Sequence, residues 1–323
     1  MTYELTERDP APGSVRQITF VPFLPGGHCA AIPDGDGRLR LPSGEVRPGE
    51  HWLLDTTLRI PLETAGFRFQ RAHPFAYDAE AAHLYAWLDG DRYKGRRPHA
   101  EVELVAGPAE AIAGLMGDAQ VVLDAARSFR AQDDASYFAD NMRLLEPAYL
   151  RAATPEGGSG FGGGPQAWRA RRSMIVEGLD RDGTFLDVGC ANGLLMESVH
   201  AWAAERGRVI EPYGIDLAPG LVGLARRRLP RWAGRIEVGN ALSWRPRDGR
   251  RFTFAHILAE TVPRARFGDL ARHVLDTLVE PGGRLLLSVY QASEGTLPDA
   301  AEQFGGIGLA VSGRAGATAW VDA

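Results

Sequence analysis

Apolar runs and stretches with helical spacing alternate along residues 183–323. The apolar runs predict strands at Thr184–Val188, Val209–Asp216, Arg235–Val238, Phe252–Leu258 and Arg284–Tyr290. The stretches between them predict helices at Leu194–Arg206, Pro219–Arg228 and Phe267–Leu278. Strands that alternate with helices are typical of a parallel α/β sheet. Two further strands, Gly308–Gly313 and Ala317–Asp322, are separated by a short turn, which predicts an antiparallel hairpin at the sheet edge.

The first part of the chain has a different pattern, with mixed strands, turns and few helices. It predicts strands at Val15–Phe23, Leu39–Leu41, Phe67–Gln70 and His83–Leu88, and helices at Pro108–Met116 and Ala119–Arg130. A length of 323 residues also suggests two domains. We therefore predict an α+β domain over residues 1–132 and an α/β domain over residues 133–323.

Residues 133–182 form the N-terminal part of the second predicted domain. The spacing of apolar residues predicts helices at Ala135–Tyr149 and Gln166–Leu179, and residues 154–165 between them are rich in glycine. Such a segment is either a plain linker or a mobile lid beside a site, and its composition favours the linker. The candidate lid side chains are Tyr137, Phe161 and Trp168, for which a place in the core is the alternative.

Composition and charge exclude several classes of protein. The chain is 45 % hydrophobic, which excludes a disordered protein, and no apolar run approaches the length of a membrane span. The net charge is −5, and neither half is basic enough to indicate a nucleic-acid surface. Cys29 and Cys190 are too few for a disulfide scaffold, and residues 1–12 do not resemble a secretory signal. We therefore expect a cytoplasmic protein without a membrane partner, and the charge does not favour a nucleic-acid partner.

The segment Phe185–Gly193 carries the clearest chemistry. Asp187 ends a predicted strand, and a turn of small residues leads into a predicted helix. Glycines let the backbone approach a ligand, and a helix start offers free N–H groups. Such a turn alone is also compatible with NAD, FAD or no ligand. Asp187, two residues before Gly189, favours a cationic ligand and would repel a pyrophosphate.

Polar groups also stand at the ends of the next two predicted strands. Asp216 ends the second strand, where a carboxylate can accept both hydroxyls of a ribose. Asn240 follows the third strand, where its amide can bond to an adenine edge. Before the fifth strand stands the turn Pro281–Gly283.

Over residues 183–323 the small-residue turn, Asp216 and the Pro281–Gly283 turn together resemble the class I S-adenosylmethionine-dependent methyltransferases. The resemblance implies a Rossmann-like, seven-stranded sheet with a reversed last strand. It also implies S-adenosylmethionine as cofactor, with the methionine moiety, the ribose and the adenine held in turn along three strand ends. The implied cofactor-binding residues are Asp187, Gly189, Cys190, Ala191, Gly193, Asp216, Leu217, Asn240 and Ala241. The acid often found at the position of Asn240 is absent.

Methyl transfer needs alignment, and a base where the acceptor atom carries a proton. His256 is a candidate because imidazole is a common general base, but it lies inside a predicted strand, where a core histidine is the alternative. Glu260 stands just past that strand in the expected crevice, with a solvated loop acid as the alternative. Tyr290 is a third candidate. We interpret Cys190 as a small filler of the loop and not as a nucleophile, and we predict no metal site.

In the first half, Leu41–Glu50 resembles the start of a Nudix hydrolase box. Gly44 and Glu50 keep the spacing of that box, while its later glutamates are reduced to Glu63. One acid cannot hold Mg²⁺ against a diphosphate, and we expect Pro61 to break or kink the box helix. The resemblance implies an α+β Nudix-like domain that does not hydrolyse and serves substrate recognition or assembly.

From these patterns we expect a methyltransferase that acts on a small molecule and carries a Nudix-like accessory domain, with a homodimer as one form of assembly. A macromolecular acceptor such as RNA or protein stays open, and so do two alternative functions. One is a Nudix-type nucleoside diphosphate hydrolase. The other is a non-catalytic regulatory protein that binds S-adenosylmethionine or S-adenosylhomocysteine. A nicotinamide dehydrogenase is disfavoured by Asp187.

Overall fold

The computed structural model describes residues 3–6, 9–11, 13–50, 55–92, 103–290 and 298–323. The chain divides into two compact units, Met1–Leu144 (unit 1) and Leu145–Ala323 (unit 2). The division falls inside a helix, Asp134–Arg151. Within the described residues, no helix is both long and apolar enough to cross a membrane.

Unit 1 is built on a mixed sheet. Its strands are β1 (Glu4–Leu5), β2 (Gln17–Leu24), β3 (His28–Pro33), β4 (Leu39–Arg40), β5 (Ser43–Glu45), β6 (Phe67–Asp78), β7 (His83–Arg92) and β8 (Val105–Gly107). The order is β1-β6-β7-β2-β3-β4, with β5 paired to β2 and β8 to β3. The pair β2–β7 is parallel and the other described pairs of these strands are antiparallel. The helices are α1 (Thr57–Ala65), α2 (Ala109–Ala113), α3 (Ala119–Arg130) and α4 (Asp134–Arg151).

The core of unit 1 lies between this sheet and α3. Strand β2 is buried along most of its length, because it is central and its apolar run packs on both faces. Val121, Val122 and Ala125 on one face of α3 pack against Trp87 of β7. The predicted bounds of α3 are confirmed, because its apolar spacing is regular.

The predicted break at Pro61 does not occur, because α1 continues through it to Ala65. A wider π-helical turn at Asp55 and Thr56 leads into α1, and the Pro61 ring is buried. Packing of the ring thus compensates for the hydrogen bond that proline cannot donate. Strand β6 is also longer than predicted, and residues 100–102, where the chain alternates, lie outside the described residues.

Unit 2 is built on a seven-stranded sheet. Its strands are β9 (Gly183–Val188), β10 (Ile210–Asp216), β11 (Ile236–Val238), β12 (Phe252–Ile257), β13 (Val279–Ser288), β14 (Gly313–Ala315) and β15 (Thr318–Asp322). The order is β11-β10-β9-β12-β13-β15-β14. Strands β9 to β13 pair in parallel and β15 is antiparallel to β13. The predicted seven-stranded sheet with a reversed last strand is therefore confirmed.

The helices of unit 2 are α5 (Pro165–Arg172), α6 (Leu194–Ala204), α7 (Pro219–Arg228), α8 (Phe267–His273) and α9 (Ala300–Gly306). Two predicted helices are shorter: α5 gives way to a 3-10 turn at Ser173–Gly178, and α8 to a π turn at Val274–Leu278. The predicted strand Gly308–Gly313 is wrong, since β14 begins only at Gly313. The apolar spacing does not predict helix α9, although Asp299 and Glu302 form a capping box at its start.

The strand order fixes where a ligand can bind. Successive strands add on one side of β9 as far as β11, and the chain then crosses to the other side of β9 to form β12 and β13. In an open parallel sheet such a switch point opens a crevice at the carboxyl ends of the strands. The crevice of unit 2 therefore lies where β9 and β12 end, at Val188 and Ile257.

Candidate functional site

The turn that follows β9 needs glycine for steric reasons. Gly189 and Gly193 have positive φ angles of 84° and 78°, and a Cβ on Gly193 would lie 2.6 Å from Leu229 Cδ1. Ala191, where the family turn has its second glycine, also has a positive φ of 47°. A left-handed alanine costs roughly 1–2 kcal/mol, and such strain is concentrated at functional sites.

Asp216 at the end of β10 holds this turn in place. Its Oδ2 accepts a hydrogen bond from the Ala191 N–H at 2.8 Å, and its Oδ1 accepts one from the Ala218 N–H at 2.9 Å. Burial raises the pKa of the carboxyl, and the two backbone donors oppose this shift. Each carboxylate oxygen has a second lone pair, so Asp216 keeps the capacity to accept from a ligand.

The remaining predicted residues on this side of the crevice lie next to Asp216. Leu217 is half-buried directly after it. The Gly239 N–H donates to the Asp216 carbonyl at 2.9 Å, which brings Asn240 and Ala241 beside the end of β10. The Asn240 side-chain oxygen accepts the Leu242 N–H at 2.9 Å and so closes its own loop. The strand ends thus bring the predicted binding residues together at one edge of the sheet.

Asp187 and His256 form a buried pair across neighbouring strands. They are register partners in β9 and β12, and His256 Nδ1 lies 3.0 Å from Asp187 Oδ1. His256 Nε2 lies 3.1 Å from Ser288 Oγ, which is 2.7 Å from Thr318 Oγ1. Both ring nitrogens of His256 are therefore engaged inside the sheet. This geometry does not suit a base that meets substrate, and it makes His256 a support for Asp187.

Glu260 stands at the mouth of the crevice. It lies in a short 3-10 turn, Ala259–Thr261, directly after β12, and it is exposed. Burial raises the pKa of Tyr149 and of Tyr290 to about 12, and the negative charge of Glu260 adds to both shifts. Glu260 and the two phenols therefore share one electrostatic environment at the carboxyl end of β12.

Cys190 is enclosed in the protein and not in the crevice. Its side chain packs in a cluster with Met196 and Val222, and burial raises the pKa of the thiol well above its usual value. Both observations agree with a filler and not with a nucleophile. Only the backbone of Cys190 is then available to a ligand.

The glycine-rich segment, residues 154–165, is packed against the turn after β9. Ser159 Oγ donates to Asn192 Oδ1 at 2.6 Å, and Asn192 Nδ2 donates to the Pro155 carbonyl at 2.7 Å. Gly157–Ser159 form a 3-10 turn. The interpretation as a plain linker is therefore wrong. Its glycines let the segment pack closely against neighbouring side chains, since a Cβ on Gly158 would lie 2.6 Å from Asn192 Nδ2.

The three candidate lid side chains have different surroundings. The Phe161 and Trp168 rings meet edge to face at 5.7 Å, and Trp168 is buried with its Nε1 donating to Ser198 Oγ at 2.9 Å. Tyr137 belongs to unit 1, where its ring meets Phe138 edge to face at 5.7 Å. Trp168 therefore takes its alternative place in the core, and Phe161 is half-buried at the end of the glycine-rich segment.

Sequence reasoning missed four residues of this region: Tyr149, Ser159, Arg172 and Asn192. Asn192 offered a signal, because asparagine favours helix starts, and its Oδ1 accepts the Leu194 N–H at 3.1 Å. Arg172 stands four residues after Trp168, a spacing that brings two side chains together on a helix. Tyr149 and Ser159 gave no local signal.

The Nudix-like box in unit 1 is neutralised by arginine. Glu50 accepts hydrogen bonds from Arg59 Nε at 2.6 Å and Nη2 at 2.7 Å, and Glu63 lies 3.5 Å from both Arg47 and Arg59. No group of three or more potential metal ligands occurs in the described part of the chain. The hydrolase alternative gains no support from this arrangement.

Among known proteins, no family model and no curated protein matches this chain, but solved structures do. One is an amino pentose methyltransferase of calicheamicin biosynthesis from Micromonospora echinaspora, with 23 % identity over 52 % of this chain and 55 % of that chain and a TM-score of 0.27. Another is a methyltransferase from Thiobacillus denitrificans bound to S-adenosylhomocysteine, with 20 % identity over 46 % and 54 % and a TM-score of 0.28. A third is a ribosomal protein L11 methylase from Lactobacillus delbrueckii subsp. bulgaricus, with 18 % identity over 50 % and 79 % and a TM-score of 0.33. The first two matches span little more than half of those chains.

Proposed function

We propose that the protein is a methyltransferase that uses S-adenosylmethionine and acts on a small molecule. The observation that carries the proposal is the placement of Asp187, the Gly189–Gly193 turn and Asp216 on adjacent strand ends at the switch point of the sheet. Two carboxylates at neighbouring strand ends suit a ligand with a sulfonium, an amino group and a ribose. They do not suit the pyrophosphate of a dinucleotide.

The residues of the crevice fit the three parts of such a cofactor. We assign the methionine moiety to Asp187 and the backbone of Gly189, Cys190, Ala191 and Gly193, where a Cβ on Gly189 would lie 2.9 Å from Thr261 Cγ2. Asp216, with Leu217 beside it, would accept from the ribose hydroxyls. Asn240 and Ala241 would border the adenine. When bound, the cofactor supplies an electrophilic methyl group on a sulfonium.

We assign Glu260 to take a proton from the acceptor. It is exposed directly after β12, whereas His256 is buried with both ring nitrogens engaged. His256 instead fixes Asp187 through Nδ1, and Ser288 fixes the ring through Nε2. In this arrangement the chain contributes alignment, water exclusion and one proton acceptor.

For unit 1 we propose a Nudix-like accessory domain without hydrolase activity. The mixed sheet with the parallel pair β2–β7 and the helix α1 after the box are compatible with that assignment. Of the later glutamates of the box only Glu63 is left, and one acid cannot hold Mg²⁺ against a diphosphate. Substrate recognition or assembly as a homodimer in the cytoplasm stays a prediction.

Calorimetric titration of the full chain tests the function. We expect S-adenosylmethionine and S-adenosylhomocysteine to bind, and NAD, or ADP-ribose with Mg²⁺, not to bind. Asp216→Asn should weaken the binding of S-adenosylhomocysteine at least ten-fold, about 1.4 kcal/mol. The reason is that an amide has only one oxygen that can accept hydrogen bonds, where the carboxylate has two. Asp248→Asn is the control, since Asp248 is exposed and pairs with Arg250. Unchanged affinity in a folded Asp216→Asn protein would contradict the ribose assignment.

The same variant carries a pH prediction. The ribose needs the carboxylate form of Asp216, and burial raises the pKa of that group. Affinity should therefore be full at neutral pH and be lost on acidification at a higher pH than an ordinary aspartate would give. Titrations from pH 7.5 downward should show this loss in the wild type and a weaker, flatter profile in Asp216→Asn. Parallel profiles for the two proteins would count against Asp216.

A further inference from the structure

Arg172 carries its charge between aromatic rings. The Arg172 Cζ atom lies 4.0 Å from the ring centroid of Tyr290, 4.1 Å from that of Trp168 and 4.8 Å from that of Phe161. Ring faces stabilise a guanidinium over its plane, but its N–H donors point outward in the plane and still need acceptors. Aromatic contact thus leaves part of the hydrogen-bonding capacity of Arg172 unused.

Two enclosed donors occur together at this point. Arg172 Nη1 is buried and has no hydrogen-bond partner among the described residues, and the buried Tyr290 hydroxyl has no acceptor for its proton among them. Ser288, beside Tyr290, is already engaged by His256 and Thr318. Burial raises the pKa of Tyr290 to about 12, so its hydroxyl is a donor at neutral pH. A buried donor without an acceptor destabilises the fold, and more so when it is charged.

The position of this pair separates it from the adenosine end of the site. Tyr290 follows β13, which lies beyond β12, whereas Asp216 and Asn240 follow β10 and β11 on the opposite side of β9. A cofactor that runs along β11, β10 and β9 leaves the ends of β12 and β13 to a second ligand. Glu260, the candidate proton acceptor, also follows β12.

We propose that Arg172 and the Tyr290 hydroxyl bind an anionic oxygen group, a carboxylate or a phosphate, of the methyl acceptor. The assignment rests on the proposed function. A planar guanidinium beside a hydroxyl donor matches the geometry of both anions. The acceptor is then an acid, anchored by its anion near β13 while its reacting atom faces the proton acceptor Glu260.

The test uses the full chain and named probes. Wild-type protein saturated with S-adenosylhomocysteine is titrated with benzoate and with inorganic phosphate, and binding of at least one is expected. Arg172→Gln should weaken the binding of that anion at least ten-fold. Tyr290→Phe keeps the ring beside Arg172 and should weaken the binding about five-fold. Arg169→Gln is the matched control, because Arg169 lies on the same helix and forms an exposed pair with Glu205. It should bind the anion like the wild type.

A second arm separates the acceptor from the carboxylate of the cofactor. Affinities for S-adenosylhomocysteine and for 5′-methylthioadenosine, which lacks the amino-acid part, are measured in the wild type and in Arg172→Gln. We expect both to change less than three-fold. A ten-fold loss for S-adenosylhomocysteine alone would assign Arg172 to the cofactor and overturn the proposal.

Two other outcomes are distinguishable. Wild-type protein that binds S-adenosylhomocysteine but neither anion, or equal anion affinity in Arg172→Gln and Tyr290→Phe and the wild type, overturns the acceptor assignment alone. Wild-type protein that does not bind S-adenosylhomocysteine overturns the proposed function and this assignment with it. Circular dichroism checks that each variant is folded. If Arg172→Gln does not fold, Tyr290→Phe and the control decide the result.

Discussion

At the scale of single residues, ion pairs that are invisible in the sequence decide the chemistry. Glu50 and Arg59 are nine positions apart, and in the fold Arg59 donates two hydrogen bonds to the Glu50 carboxylate. Thr56 Oγ1 donates a third hydrogen bond to Glu50 Oε2 at 2.8 Å. In the sequence, Glu50 stands out only for its spacing from Gly44, but in the fold it accepts hydrogen bonds from both Arg59 and Thr56. The same box residue is therefore a structural element in this chain.

Glu50 should make the stability of unit 1 depend on acid pH. Hydrogen bonds from Arg59 are the main cause that lowers the pKa of Glu50 from 4.5 to about 2. A lowered pKa in the folded state stabilises the protein above pH 4.5, and this contribution is lost as the pH falls from 4.5 towards 2. Glu50→Gln should lower the melting temperature at pH 7 by about 3–6 °C. The difference from the wild type should shrink steadily as the pH falls from 4.5 towards 2.

Thermal unfolding of both proteins at pH 7, 5, 3.5 and 2.5 measures this dependence. Glu110→Gln is the control in the same unit, because Glu110 forms an exposed pair with Arg130. It should change the melting temperature by less than 1 °C at each pH. A difference between Glu50→Gln and the wild type that stays constant with pH would contradict the role of the charge.

Residue roles were predictable from the sequence only where they depend on the local backbone. Asp187 and Asp216 lie in the last two positions of their strands, so their place at the sheet edge followed from the pattern. The engagement of His256 with Ser288 depends on a contact across 32 positions, and the rings around Arg172 include Tyr290, which lies 118 positions away. Such non-local contacts have no periodic signal in a single sequence.

At the scale of elements, the glycine-rich segment shows how composition can mislead. Flexible linkers and closely packed loops both use glycine, the first for freedom and the second for space. Gly160 has a φ of 73°, and a Cβ there would collide with the Tyr149 hydroxyl. Gly162 lies in the same segment, but a Cβ added to it would meet no described atom within 4 Å.

Gly160→Ala and Gly162→Ala therefore form a matched pair. The first should displace the segment from Tyr149 and so loosen the contacts of Asn192 with Pro155 and Ser159. We expect Gly160→Ala to weaken the binding of S-adenosylhomocysteine at least five-fold and to make residues 154–165 more sensitive to limited proteolysis. Gly162→Ala should behave like the wild type. Equal proteolysis and equal affinity in the two variants would show that the segment does not support the site.

The elements of unit 2 were easier to predict than those of unit 1 for a physical reason. A parallel strand buried on both faces is a continuous apolar run, as in β12, and each run is followed by a helix with its own spacing. In unit 1, strand β3 is buried but consists largely of Cys29, Ala30 and Ala31, whose small side chains give a weak signal. It was not predicted, and the helix α1 was expected only from the resemblance to a Nudix box.

At the scale of the whole molecule, the sheet order of unit 2 places the candidate cofactor-binding residues at one edge. The two units can be studied separately, with different ligands and variants. The order β11-β10-β9-β12-β13-β15-β14 agrees with what the resemblance in the sequence implied. The Nudix-like assignment of unit 1 has no comparable confirmation. Its sheet combines antiparallel pairs with one parallel pair, and its pairing could not be derived from the strand pattern.

A chain of two compact units is expected to unfold in more than one step. In scanning calorimetry, S-adenosylhomocysteine at a hundred-fold excess over its Kd should stabilise unit 2 by about 2.7 kcal/mol, which raises one transition by roughly 5–10 °C. Glu50→Gln should lower the other transition, because Glu50 lies in unit 1. ADP-ribose is the ligand control and should move neither. A single transition that shifts with both the ligand and the variant would show that the two units unfold together. If S-adenosylhomocysteine shifts only the transition that depends on Glu50, the cofactor site lies in unit 1.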